Sequence, residues 1–183
     1  MKNILFILCL VISQLAIGQT YEVINSIFAN KKSNTNLYYK FVPLISNYNS
    51  SILTRRFFEE EWAPIKSEQT PDINLFLSGI SIDHLESFSR IKDTTIIEET
   101  KLSSNIILVR DLDPYNQKVS FDTLNQQKLI CRISIPFISH SKDWAIIFYS
   151  CSSDATDGSG DLYIYRKLEN KWIYYHKINL YIP

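Results

Sequence analysis

Residues 128–151 read KLICRISIPFISHSKDWAIIFYSC, and this stretch decides the fold. Leu129, Cys131, Ile133, Ile135 and Phe137 alternate with Lys128, Arg132 and Ser134, Ile130 being the exception. Such alternation marks a strand with one buried face. A second apolar run, Trp144 to Cys151, follows a short polar break. A hairpin turning near Ser141 sets Cys131 against Cys151, Ile133 against Tyr149, Ile135 against Ile147 and Phe137 against Ala145. One register thus aligns the cysteines and the apolar faces together, and a slip of one residue destroys both matches. Opposed residues have Cα atoms about 4.5–5.5 Å apart, within reach of a disulfide. Pro136 conflicts with this ladder. The closer, non-hydrogen-bonded type of pair suits a cross-strand disulfide, and counting in that phase puts Pro136 where an N–H should be donated. The ladder therefore breaks or bulges near Pro136.

Working outward, Leu162 to Lys167 and Lys171 to Ile182 read as two further strands joined by the tight connection Leu168-Glu169-Asn170. With the first pair they form an antiparallel meander. The first half of the chain is more helical. Tyr21, Ile24, Ile27 and Phe28 fall at helical spacing over 20–32. Ser81 to Lys92 carries a stripe of Ile82, Leu85, Phe88 and Ile91, with Ser81 as cap and Asp83 in the first turn. Ile52 to Trp62 suggests a strand and a helical turn, and Ile73 to Leu77 is an apolar run of either type. Asn105 to Arg110 reads as a buried strand. Leu37 to Ile45 is aromatic and β-branched, but Pro43 argues against a central strand. The expected class is α+β, with N-terminal helices packed on a C-terminal antiparallel β-meander.

Residues 1–18 read as a secretory signal. Lys2 gives the positive start, Ile4 to Ala16 is almost entirely apolar, and Ala16-Ile17-Gly18 supplies the small residues of a cleavage site. The run is too short for a membrane span. Cleavage after Gly18 leaves residues 19–183, one α+β domain's worth of chain beginning at Gln19. The expected location is periplasmic or secreted, where a Cys131–Cys151 disulfide is the default. A thiol nucleophile or metal pair is the alternative, though the spacing is far from Cys-x-x-Cys. The 19 Lys and Arg balance the 19 Asp and Glu, so bulk charge attracts neither nucleic acid nor an anionic membrane. No second run approaches membrane-spanning length. Only four glycines occur in the whole chain, too few for a phosphate cradle, against 11 Tyr and 10 Phe.

Ser134-Ile135-Pro136-Phe137-Ile138-Ser139, Asp143, Ala145 to Tyr149, Cys151, Gly158 and Gly160, and Lys171-Trp172-Ile173 carry one resemblance. Over roughly the last 60 residues the chain resembles a group of uncharacterised exported bacterial proteins, which share a Ser-x-Pro-x-Phe-Ser hairpin, a glycine-bearing loop and a terminal Lys-Trp strand. The resemblance brings no activity with it. Members often carry a second cysteine in the glycine loop. Here Ser152 to Asp161 has none, which leaves Cys151 to pair with Cys131.

His84, His140 and His176 fall on a helix, a turn and a strand, without zinc spacing. A Ser–His–acid triad needs no sequence adjacency, but no Gly-x-Ser-x-Gly elbow marks a nucleophile. Glu59 to Glu61 and Glu98-Glu99 are carboxylate candidates for glycoside hydrolysis, with a solvated face as the simpler reading. Asp157, Ser159 and Asp161 are spaced like calcium-loop ligands, but Leu162 and Leu168 stand where that loop needs Gly and Glu. No cofactor or metal is expected. Tyr163, Tyr165, Trp172, Tyr174, Tyr175 and Tyr181 crowd the last two strands and put rings on both faces, whereas a sheet packed on one side needs only one such face. Tyr163, Tyr165, Trp172 and Tyr175 are therefore the expected binding residues. The expected function is an exported, non-enzymatic binding protein with a protein or glycan partner. The alternative is a hydrolase acting on an extracellular or cell-wall polymer.

Overall fold

The computed structural model describes residues 18–29, 35–42, 44, 53–62, 71–90, 95–110, 130–152 and 159–181. Almost all of the signal segment and most of the Asp154–Asp161 loop lie outside these. Helix α1 covers residues 18–28. Strand β1 (Thr35–Tyr38) follows, then α2 (Arg55–Glu61), α3 (Ile73–Gly79) and α4 (Ile82–Ser89). After a 3₁₀ turn at Glu99–Lys101 come β2 (Ile106–Val109), β3 (Ile130–Ile133), β4 (Phe137–Ile138), β5 (Trp144–Ser152), β6 (Ser159–Leu168) and β7 (Lys171–Tyr181). The strands form one mixed sheet in the order β2-β1-β3-β5-β6-β7, with β4 also on β5. The class is α+β, with the helices in the first half of the chain and the antiparallel meander in the second. Among the described residues no helix is long and apolar enough to cross a membrane.

The helices start where side chains satisfy their free N–H groups. Thr54 accepts from Phe57 N at 3.2 Å, Asp72 from Asn74 N at 2.8 Å, and Ser81 from His84 N at 3.3 Å. At the β6–β7 turn Glu169 and Asn170 both have positive φ, 48° and 62°. That pairing matches the right-handed twist of a two-residue hairpin.

Cys131 pairs with Cys151 and Ile133 with Tyr149, as the register requires. The cysteines form a disulfide with Cα atoms 4.0 Å apart. The ladder also breaks at Pro136. Beyond it Phe137 pairs with Ile146 and Ile138 with Ala145, a slip of one residue from the expected Phe137–Ala145 pair. Ser134 makes the transition: its N–H donates to Phe148 O and its hydroxyl accepts from Phe148 N, both at 3.0 Å. Because side chains alternate, the slip turns Phe137 to the opposite face from Cys131 and Ile133.

Both faces of the sheet are covered. On one, Trp144, Ile146, Phe148, Leu162, Ile164 and Phe137 pack on Phe58, Trp62, Phe76, Leu77 and Leu85 of the α2–α4 region. On the other, Ala145, Ile147, Tyr149, Cys131, Ile133, Tyr165 and Trp172 pack with Tyr21, Ile24, Ile27 and Phe28 of α1. Polar bonds fix α1 there: Tyr21 hydroxyl accepts from Glu98 N at 2.7 Å, and Asn25 Oδ1 from Ser103 N at 2.9 Å. The expectation against a central strand near Pro43 is corrected: β1 ends at Tyr38, short of the proline, and runs parallel between β2 and β3. Strand β2 is buried on one face only, with Ile107 45% exposed.

Candidate functional site

The α1 side of β5, β6 and β7 carries a row of tyrosines. Cross-strand pairing sets Tyr149 opposite Asp161, Tyr163 opposite Lys177, and Tyr165 opposite Tyr174. Opposed residues share a face, so these rings and charges are neighbours. Tyr149 and Tyr163 meet edge to face at 5.8 Å between ring centroids. Tyr174 meets Tyr163 at 6.3 Å and Tyr165 at 6.2 Å. Lys177 Nζ lies 3.3 Å from Asp161 Oδ2, and Tyr163 hydrogen-bonds the same carboxylate. Asn179 stands opposite Asp161 and is exposed.

Cover differs along this row. Tyr165 is 4% and Trp172 8% exposed, whereas Tyr174 is 50% exposed. Lys167 helps close the covered end, with its ammonium 3.3 Å from Glu22 of α1 and 5.3 Å from the Trp172 ring centroid. Tyr163 is half-buried. The phenols are held neutral well above their ordinary range. Burial is the main cause at Tyr149, Tyr163, Tyr165 and Tyr174, and the Asp161 carboxylate adds to it at Tyr149, Tyr163 and Tyr174.

Of the four expected residues, the structure brings Tyr163, Tyr165 and Trp172 to one face and sends Tyr175 to the other. The register shift of β6–β7 falls at Ile164/Tyr165, where Tyr175 is left without a partner between Tyr174 and His176. An inserted residue restarts the alternation. Tyr175 thus packs against Trp144 at 4.8 Å and Trp62 at 6.3 Å, and its hydroxyl donates to Asp72 O at 2.9 Å. Two of the remaining three, Tyr165 and Trp172, are buried under α1. The exposed ring is Tyr174, which strict alternation already grouped with Trp172.

The other expected groups serve local structure. Asp143 Oδ1 accepts from the Ser139 hydroxyl at 3.1 Å and from the Ser141 hydroxyl, while Ser139 Oγ accepts from Trp144 N at 3.1 Å. These bonds close the β4–β5 turn. His84 and His140 meet each other at 4.0 Å between ring centroids, and burial followed by His140 lowers the pKa of His84. Glu59 and Glu60 pair with Arg55 and Arg56 one turn earlier on α2, at 2.9 and 2.6 Å. Glu98 and Glu99 pair with Lys101 and Arg110, at 2.8 and 3.5 Å. Among the described residues, no three His, Cys, Asp or Glu side chains converge as a metal site.

No protein-family model, curated protein or solved structure matches the chain.

Proposed function

We propose that the protein is an exported, non-enzymatic recognition protein that engages a protein or glycan partner through the rim formed by Tyr163 and Tyr174. The observation that carries this reading is the half-exposed Tyr174 ring, seated on buried tyrosines and flanked by the Lys177–Asp161 pair. A ring held by its neighbours offers flat apolar area at little further entropy cost. The charged pair and Asn179 supply donors and acceptors beside it. Export is supported by the residue order of 1–18 and by a disulfide, which persists in oxidising compartments. The resemblance of the last 60 or so residues to exported bacterial proteins points the same way.

Amide chemical-shift mapping tests the surface. Cell-wall oligosaccharides and peptides from envelope proteins are titrated separately into the mature chain. The expected response centres on Tyr163, Tyr174, Lys177 and Asn179, and Tyr174→Ser weakens it at least tenfold without changing Tm. Responses that map elsewhere, or wild-type affinity in Tyr174→Ser, refute the reading.

A further inference from the structure

Behind the rim, Tyr149 lies between its ring neighbours and the disulfide. Its hydroxyl is 3.1 Å from Cys131 Sγ and 2.7 Å from Cys151 Sγ. A disulfide sulfur has no proton to give, so the hydroxyl is the donor. The phenol stays protonated, because burial and nearby Asp161 both disfavour its anion. The two sulfurs differ in access. Cys131 is 4% exposed, whereas Cys151 is only partly buried. Backbone pairing also holds β3 on β5 on both sides of the bridge, through Ile130–Ser152, Arg132–Ser150 and Ile133–Tyr149.

We propose that Cys131–Cys151 is a thiol–disulfide exchange site, attacked at Cys151 by an external thiolate while Tyr149 stabilises the departing Cys131 thiolate. The attacking sulfur forms a new S–S bond to Cys151 Sγ as the Cys151–Cys131 bond breaks. The electron pair of the broken bond stays on Cys131 Sγ, which accepts the Tyr149 O–H. With a dithiol reductant, its second thiolate then attacks the first sulfur of the same reductant molecule. That closes the reductant's own disulfide and releases the Cys151 thiolate. Two electrons pass from the dithiol, which is oxidised, to the cystine, which is reduced. Exchange rates rise as the leaving thiolate is stabilised and as the attacked sulfur becomes accessible, and this geometry favours one direction on both counts. A thiolate leaving from Cys131 into this core would otherwise have no hydroxyl donor and a full desolvation cost. Because β3 and β5 remain paired, the reduced cysteines stay opposed and the bond can reform.

Glutathione is the probe for regiochemistry and dithiothreitol for rate. The folded mature protein is treated with glutathione, quenched with an alkylating agent and digested. Mass spectrometry is expected to find glutathione on Cys151 and the alkyl group on Cys131. Reduction by dithiothreitol is expected to slow at least tenfold in Tyr149→Phe, which loses one hydrogen bond to a charged acceptor and little else. The wild-type rate is expected to be independent of denaturant below the unfolding transition. Glutathione found mainly on Cys131, an unchanged rate in Tyr149→Phe, or a rate that follows global unfolding each overturns the proposal. Should Tyr149→Phe fold poorly, the wild-type regiochemistry and denaturant dependence decide the matter alone.

Discussion

Replacing Gly79 with alanine sets two opposing effects against each other. Alanine is favoured over glycine in a helix by about 1 kcal/mol, less at a last turn such as this one. The added methyl, however, lies 2.0 Å from Trp144 Nε1, 2.4 Å from Cδ1 and 3.0 Å from Cε2. Ordinary contact needs more than ~3.4 Å, so either the indole or the end of α3 must shift by more than ~1 Å in a close-packed interior. Trp144 has little room to move. It is 2% exposed and held by Phe76 at 5.4 Å and Tyr175 at 4.8 Å. Overpacking of this kind costs about 1–3 kcal/mol, so the clash outweighs the helix gain and the net loss is about 2 kcal/mol. Urea unfolding of Gly79→Ala should show a lower midpoint with an unchanged slope. In a Trp144→Phe background, which removes the indole nitrogen, the same alanine should cost much less, and the difference is the coupling energy. A neutral or stabilised Gly79→Ala, or an equal cost in both backgrounds, would refute the packing argument.

Other expectations follow from the two cores. His176 is 1% exposed, lies 4.2 Å from Trp62 between ring centroids, and has neither ring nitrogen hydrogen-bonded; burial lowers its pKa. The unfolded chain therefore takes up the proton first. Its contribution is fully present above about pH 6.5 and is lost as pH falls toward the lower folded pKa, at up to ~1.4 kcal/mol per unit. His176→Leu should flatten the urea midpoint over that window and add about 1–2 kcal/mol at neutral pH; a pH profile unchanged from wild type would contradict the assignment. Tyr165→Ser should cost about 3 kcal/mol or more by thermal unfolding, against less than ~0.5 kcal/mol for Tyr174→Ser, and equal losses would contradict their different burial. Removing the Cys131–Cys151 bridge by a double Ala substitution should cost about 3 kcal/mol in a chemical unfolding curve, given a closed loop of about 20 residues.

The hairpin around residues 128–151 was legible because two requirements, opposed cysteines and opposed apolar faces, pick the same register. Pro136 announced the break but not its direction. The side taken by Phe137 depends on Ser134 bonding Phe148 with both its N–H and its hydroxyl, which no period-2 reading contains. Tyr175 was placed with the wrong neighbours for the same reason, since alternation assumes that no residue is inserted. The cover on both faces had a signal: Trp144 to Tyr149 is apolar without interruption, as expected of a strand buried on both sides. Rings on both faces therefore call for two cores before they call for a binding surface. Strand β1 had no comparable signal. Its partners are distant in sequence and parallel, so neither a turn residue nor a local period advertises them.

The position of β1 also bears on how the chain assembles. The β5–β6 and β6–β7 pairs join neighbours in sequence, while Thr35 must find Ile106 and Asn36 must find Ile130. Contacts over such separations form slowly, because the loop must be closed before the pairing rewards it. During refolding the meander therefore precedes β1, and the β3 edge that β1 will occupy stays open to other molecules. Refolding yield should fall as protein concentration rises, with off-pathway association seeded at β3.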